Sequence, residues 1–140
     1  LVHVTYALGR SLRPLLDGRF LSHDPSNKAE VFQAWQRSKE GILLGAGLTE
    51  GIDLAGAKAN WQVVSKVLFP NLSDPAIFAK AQARPKWYLW SAIRDLLQAT
   101  GRVCRTPEDY GVTYVLDSAF KNLYNKNPEL FPGWFKGALR

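Results

Sequence analysis

The sequence predicts an α/β domain with a mostly parallel sheet and helices on both faces. Three observations predict it. Short apolar runs rich in Val, Leu and Ile alternate with stretches of helical spacing, and such alternation implies crossover connections between parallel strands. The run Ile42-Leu43-Leu44 is short and bounded by glycines, as a buried strand would be, and opens into a glycine-rich loop. The chain has 140 residues, 46% hydrophobic and 21% charged, which fits one globular domain with a substantial core.

Taken in order, residues 1–6 read as strand and 7–16 as helix, ended between Pro14 and Gly18. Residues 19–23 are strand again. Asn27, with Glu30 three positions on, has the spacing of a capping box and opens a helix whose inner face is Val31, Ala34, Trp35 and Ser38. Residues 41–46 are strand, followed by the glycine loop, and residues 61–68 are a Val-rich strand. The segment from Pro70 to Pro85 is a loop with helix around Ala76 to Ala83. Lys86 to Thr100 fits a helix with two possible stripes: Tyr88, Ala92, Leu96 and Ala99, or Trp87, Trp90, Ile93 and Leu97. Residues 112–117 form the last strand, before a short helix and an aromatic tail with Phe131, Trp134 and Phe135. In open sheets of this kind ligands bind at the carboxyl ends of the strands. Thr5 and the glycine loop both follow strands, so both should emerge there.

The net charge of +6 suggests an acidic partner, and nucleic acid is the commonest for a basic domain. No block of like charges occurs, so a folded basic face is expected rather than a basic tail. The one cysteine, Cys104, excludes an internal disulfide and a cysteine-based zinc site, and reads as a small packing residue. His3 and His23 read as satisfied structural histidines. The aromatic cluster Trp87-Tyr88-Leu89-Trp90 fits either base stacking or, at helical spacing, a core or interface. No stretch has the length of a transmembrane span and no signal peptide is visible. The chain opens in what reads as the middle of a strand without an initiator Met, so a piece of a longer protein is expected, one domain over 1–140 truncated at its N-terminus.

Two motifs carry chemistry. Gly45-Ala-Gly47-Leu-Thr49-Glu50-Gly51-Ile-Asp53 combines glycines, which permit positive φ or close approach to a ligand, with two carboxylates and a hydroxyl. Gln98-Ala-Thr-Gly101-Arg102-Val-Cys-Arg105 places an amide, a turn glycine and two guanidiniums within eight residues. Leaving a helix at Gly101, both arginines could reach one anion, the arrangement of arginine fingers in phosphoryl transfer. Alternatively, the segment is a capped helix end with two surface cations favoured by the macrodipole. No phosphate-cradling Gly-x-x-x-x-Gly-Lys-Ser/Thr occurs anywhere, nor an acidic Asp-Glu-x-His-like motif.

In order and spacing, these two motifs resemble motifs V and VI of superfamily 2 helicases, specifically of the XPD/DinG group of DNA helicases. The resemblance runs through most of the chain. Leu1-Val-His-Val-Thr5-Tyr6 resembles the end of the first strand of the second motor lobe. Phe20 to His23 and Asn27 to Trp35 resemble the next strand and helix. Val63 to Pro75 resembles the strand leading into a proline-bounded insertion, and Asp109-Tyr110-Gly111 through Asp117 the turn and strand after motif VI.

The resemblance implies a single RecA-like domain, the second lobe of an ATP-dependent helicase that moves 5′ to 3′ on single-stranded DNA. It implies Arg105 as the finger on the transferring phosphoryl, Arg102 on the γ-phosphate and Gln98 ordering the attacking water, with Gly101 as the turn beside them. Glu50, Gly51 and Asp53 would touch the ribose or link it to the DNA track, and Thr5, Tyr6 and Thr49 would hold DNA. ATP with Mg²⁺ would be bound mainly by the first RecA-like lobe of the same polypeptide, so this lobe alone should not hydrolyse ATP. The implied location is cytoplasmic, or nucleoid or nuclear with DNA, and not secreted. Two other classes fit the residues less fully: a stand-alone nucleic-acid-binding module with a helicase-like fold, and an interaction domain docking through its aromatics.

Overall fold

The structure, a computed structural model, describes residues 1–47, 60–104 and 109–140. Five parallel strands form one sheet in the order β2-β3-β1-β4-β5: β1 (Val2–Val4), β2 (Phe20–Ser22), β3 (Ile42–Ala46), β4 (Trp61–Val64) and β5 (Val112–Val115). The helices are α1 (Tyr6–Leu12), α2 (Lys28–Arg37), α3 (Pro75–Ala83), α4 (Pro85–Thr100), α5 (Ser118–Lys126) and α6 (Gly133–Ala138). The expected α/β architecture is the observed one.

Side-chain alternation assigns the helices to faces. Val4 pairs in register with Ala46, and its Cγ2 lies 3.4 Å from where a Cβ on Gly9 would stand, so α1 covers that face. His3, Leu43 and Val64 point the other way, by the register of β1 with β3 and β4. There Leu43 packs with Leu1 and with Trp35 of α2, while Val64 packs with Ala92, Ile93 and Leu96 of α4, Leu123 of α5 and the tail residues Phe131 and Phe135. The tail aromatics thus belong to this core, while Trp134 stays 61% exposed.

Several strands and helices are shorter than the sequence suggests, each for a local reason. β1 stops at Val4 because the Thr5 hydroxyl oxygen accepts the Leu8 N–H at 3.2 Å and caps α1. Helix α1 gives way to a 3₁₀ turn at Arg13–Leu15, where Pro14 cannot continue the α pattern. β4 ends at Val64, not 68: the Ser65 hydroxyl donates to the His3 carbonyl at 2.6 Å, and the Val67 N–H turns to the Asp117 carboxylate at 2.9 Å. β5 ends at Val115, since Asp117 also accepts the Ala119 N–H at 2.9 Å and caps α5.

The capping box at Asn27 does not form. Asn27 occupies the cap position, yet its Oδ1 accepts the Asp24 N–H at 2.9 Å instead of a helix N–H. On α2, Trp35 is buried as expected, but Ala34 and Ser38 are exposed and Phe32 packs in their place. Helix α4 draws on both proposed stripes: Ala92, Ile93, Leu96 and Ala99 are buried with Ser91, while Trp90 is 44% exposed. Trp87 lies under the Lys80 ammonium, 4.0 Å from its ring centre, and Tyr88 lies against Phe69.

Candidate functional site

The sheet separates the sequence-predicted residues into two places. Thr5 and Tyr6 leave the carboxyl end of β1, beside Gly47 at the carboxyl end of the adjacent β3. Gly47 has φ +62°, the left-handed conformation that glycine adopts without penalty, and its carbonyl accepts the Lys28 ammonium at 3.1 Å. The rest of the acidic loop, with Thr49, Glu50, Gly51 and Asp53, lies outside the described residues.

A cleft of about 250 Å³ opens at this edge between α1 and the ends of β1, β2 and β3. Thr5, Tyr6, Arg10, Arg13, Ser22, His23 and Asn27 line it. Arg13 donates to the Ser22 hydroxyl at 3.2 Å, and the Tyr6 ring meets the His23 imidazole edge-on at 5.7 Å. His23 Nε2 accepts the Ala46 N–H at 3.2 Å, so its proton sits on Nδ1 and is donated to the Asp24 carbonyl at 3.1 Å. Both ring nitrogens are therefore satisfied, as expected of a structural histidine. Hydrogen bonds from the Ser26 hydroxyl and backbone N–H hold the Asp24 carboxyl below the usual range. Although Thr5 caps α1 through its oxygen, its hydroxyl proton remains able to donate to a ligand.

The second place is the carboxyl end of α4. This helix runs antiparallel to the strands: Tyr88 near its start meets Phe69 beyond the end of β4, while Ala99 and Thr100 lie against Gln62 near the start of β4. Its final residues thus sit toward the amino ends of β4 and β5, away from the edge that carries Thr5. Gln98 is exposed and Arg102, one turn on, is half-buried. Gly101 ends the helix in a right-handed conformation, φ −71°, so a left-handed glycine cap is not what it provides. A Cβ there would stand 3.3 Å from the Leu97 carbonyl oxygen, a tight fit. Arg105 lies outside the described residues. Cys104 is exposed, its Sγ 3.9 Å from the Gly111 carbonyl; the packing role falls instead to its neighbour Val103, which is buried against Gly111.

Gln62 organises this end. It is fully buried, and its Nε2 donates to the Ala99 carbonyl at 2.8 Å, the Thr100 carbonyl at 3.2 Å and the Thr113 hydroxyl at 2.9 Å. Its Oε1 is left to face His3 Nε2 at 2.8 Å, so that nitrogen carries the imidazole proton. His3 Nδ1 is buried and has no hydrogen-bond partner, so His3 is only half satisfied. Burial, opposed by the Gln62 hydrogen bond and aided by the nearby Arg102 charge, lowers the His3 pKa from 6.5. Among the described residues no three His, Cys, Asp or Glu side chains converge to hold a metal ion. Nor does any described helix have the length and apolarity to cross a membrane.

Sequence reasoning gave no site role to Gln62, Arg10, Arg13, Ser22 or Asn27, the last read only as a helix cap. A polar residue inside the run Trp61-Gln62-Val63-Val64 was the available signal for the first, and arginines three apart, one on α1 and one just after it, for the next two. A parallel sheet with helices on both faces and a cleft at its carboxyl edge define an open-sheet α/β domain. The chain belongs to the helicase C-terminal domain family, which matches residues 4–138, and is the second, RecA-like lobe of an XPD-type helicase. It is 27% identical over 140 residues to a regulator of telomere elongation helicase 1 homolog of Drosophila sechellia, a match over 89% of this chain and 14% of the relative. The corresponding homolog of Anopheles gambiae is 30% identical over 130 residues, 84% of this chain and 12% of the relative. The chain thus spans about one-seventh or less of the length of these relatives.

Proposed function

We propose that this lobe completes the ATP site of a DNA helicase in its parent polypeptide and carries part of the single-stranded DNA track. The observation that carries the reading is the end of α4, where Gln98 and Arg102 stand one turn apart on a helix terminus fastened to the sheet by Gln62. A guanidinium keeps its charge and binds phosphate oxygens through a planar fork, so a fixed Arg102 suits the γ-phosphate. Arg105, three residues on, is assigned to the charge that develops on the transferring phosphoryl, and Gln98 to orienting the attacking water. Magnesium–ATP, held mainly by the first lobe, supplies the phosphoryl group and the electrophilic metal. This chain's residues then hold the terminal phosphate and make lobe closure depend on it. Glu50, Gly51 and Asp53 are assigned to the ribose and to the link with the DNA track.

On the other side, Thr5, Tyr6 and Thr49 are assigned to single-stranded DNA. The cleft supports this, since Arg10 and Arg13 beside the Thr5 hydroxyl make a surface suited to backbone phosphates. Translocation is assigned 5′ to 3′, and the working location is wherever the DNA is. Replacing Arg105 with Ala in the parent polypeptide tests the reading. ATP turnover should fall on the order of 10³-fold with single-stranded DNA affinity kept within a few-fold. Turnover within a few-fold of the unmodified protein would remove the finger assignment.

A further inference from the structure

A set of largely buried hydrogen bonds that the assigned roles do not use runs from the end of α4 to β1. Its centre is Gln62, whose amide closes the last carbonyls of α4 from the sheet; such carbonyls lack intrahelical partners and need one from elsewhere. The Arg102 N–H bonds the same Ala99 carbonyl at 3.3 Å, so Gln62 touches the backbone that sets where Arg102 begins. On its other side Gln62 holds the His3 imidazole. The His3 carbonyl is gripped in turn by the Ser65 N–H at 3.1 Å and the Ser65 hydroxyl at 2.6 Å. Thr5 follows two residues later along an extended strand, a rise of about 7 Å. His3 carries a second, independent sign of purpose: its Nδ1 is buried with no partner, a cost that an apolar residue in the same space would avoid.

We propose that Gln62 and His3 are positioning residues that couple the Arg102 end of α4 to the strand presenting Thr5 and Tyr6. A displacement of the α4 end is passed through the Gln62 amide to His3 and so to the position of β1, and a load on Thr5 returns by the same route. Neither residue touches a ligand; each acts through the elements it joins. The proposal rests on the assignment of the α4 end to ATP and of Thr5 to DNA. It adds a route of direct contacts between them.

The test uses the parent polypeptide and compares ATP turnover with and without saturating oligo-deoxythymidylate, together with oligonucleotide binding by fluorescence anisotropy. His3→Leu removes the imidazole and its orphan nitrogen while keeping an apolar filling; His3→Gln keeps an N–H donor toward Gln62. The ratio of DNA-stimulated to basal turnover should fall about 5-fold or more in His3→Leu, the size of typical site-to-site coupling, and recover in His3→Gln. Basal turnover and oligonucleotide affinity should stay within about twofold. A stimulation ratio unchanged in His3→Leu overturns the relay while leaving the helicase reading intact. Proportional loss of basal turnover, stimulated turnover and thermal stability would make His3 merely structural and also overturns it. Absence of any ATP turnover in the unmodified parent polypeptide overturns the underlying reading, and the relay with it.

Discussion

Gln62 Nε2 lies 2.8 Å from the Ala99 carbonyl oxygen, so a strand residue, rather than a glycine in the left-handed conformation, closes the longest helix of this lobe. The same amide serves Thr100, Thr113 and His3, and Gln62 is fully buried. Replacing it with Leu keeps much of the volume but removes these bonds, leaving the buried His3 Nε2 proton without an acceptor and the Ala99 carbonyl with backbone partners alone. Each buried orphan costs about 1–3 kcal/mol, and partial relaxation should hold the total to roughly 3 kcal/mol. Urea unfolding of the chain should show a lower midpoint with an unchanged slope.

His3 makes the stability of this lobe pH-dependent in a definable direction. Its pKa is lowered from 6.5, chiefly by burial, so the folded state binds the proton less readily than the unfolded chain. Stability from this group is therefore full above pH 6.5 and is lost as the pH falls toward the lower folded value. Asp17 and Asp24 are held below the usual carboxylate range by Arg19 and Ser26 respectively, so they act at lower pH. His3→Gln, which keeps a donor to Gln62, should be less sensitive as the pH falls below 6.5 than the unmodified chain, the difference isolating His3. Equal slopes in thermal unfolding across that range would mean His3 does not titrate there.

The sheet was legible because its strands carry compact apolar runs, such as Ile42 to Leu44, and helical patterns lie between most of them, as in the α4 region. The element ends were less legible because single side chains set them. Thr5, Ser65 and Asp117 each divert the backbone through one hydrogen bond, and Asn27 spends its amide on Asp24 rather than on α2. The site was legible as motifs but not as an arrangement. Nothing in the spacing of Gln98 and Arg102 says that α4 is antiparallel to the sheet, which puts them away from the Thr5 edge. Gln62 escaped notice because a glutamine in an apolar run reads as a solvent-facing alternation, whereas here it faces the helix.

Gly47 should resist replacement for a purely backbone reason. Its φ of +62° is disfavoured for a residue with a side chain, yet nothing lies within 4 Å of where a Cβ would stand. Gly47→Ala should therefore cost roughly 1–2 kcal/mol without any clash. Gly137 within α6 has the same open space and no positive φ, so Gly137→Ala should stabilise by about 0.5–1 kcal/mol. Opposite signs in thermal unfolding of the two variants would separate backbone conformation from packing; matching signs would refute the argument.

The cleft at the carboxyl edge predicts how DNA binding should respond to salt. Arg10 and Arg13 line it beside Thr5 and Tyr6, and Arg13 is oriented by the Ser22 hydroxyl. If each guanidinium neutralises one phosphate of a single strand, removing it should lower the slope of log affinity against log salt by about 0.7. Arg10→Ala and Arg13→Ala should therefore each weaken oligo-deoxythymidylate binding most at low salt and alike for different base sequences. Lys121 offers a control of the same charge, since it lies on α5 after β5, at the far edge of the sheet from β2. Its replacement with Ala should leave the slope unchanged. A slope that drops equally for Lys121 and the two arginines would show diffuse attraction to a basic surface, not a track at this cleft.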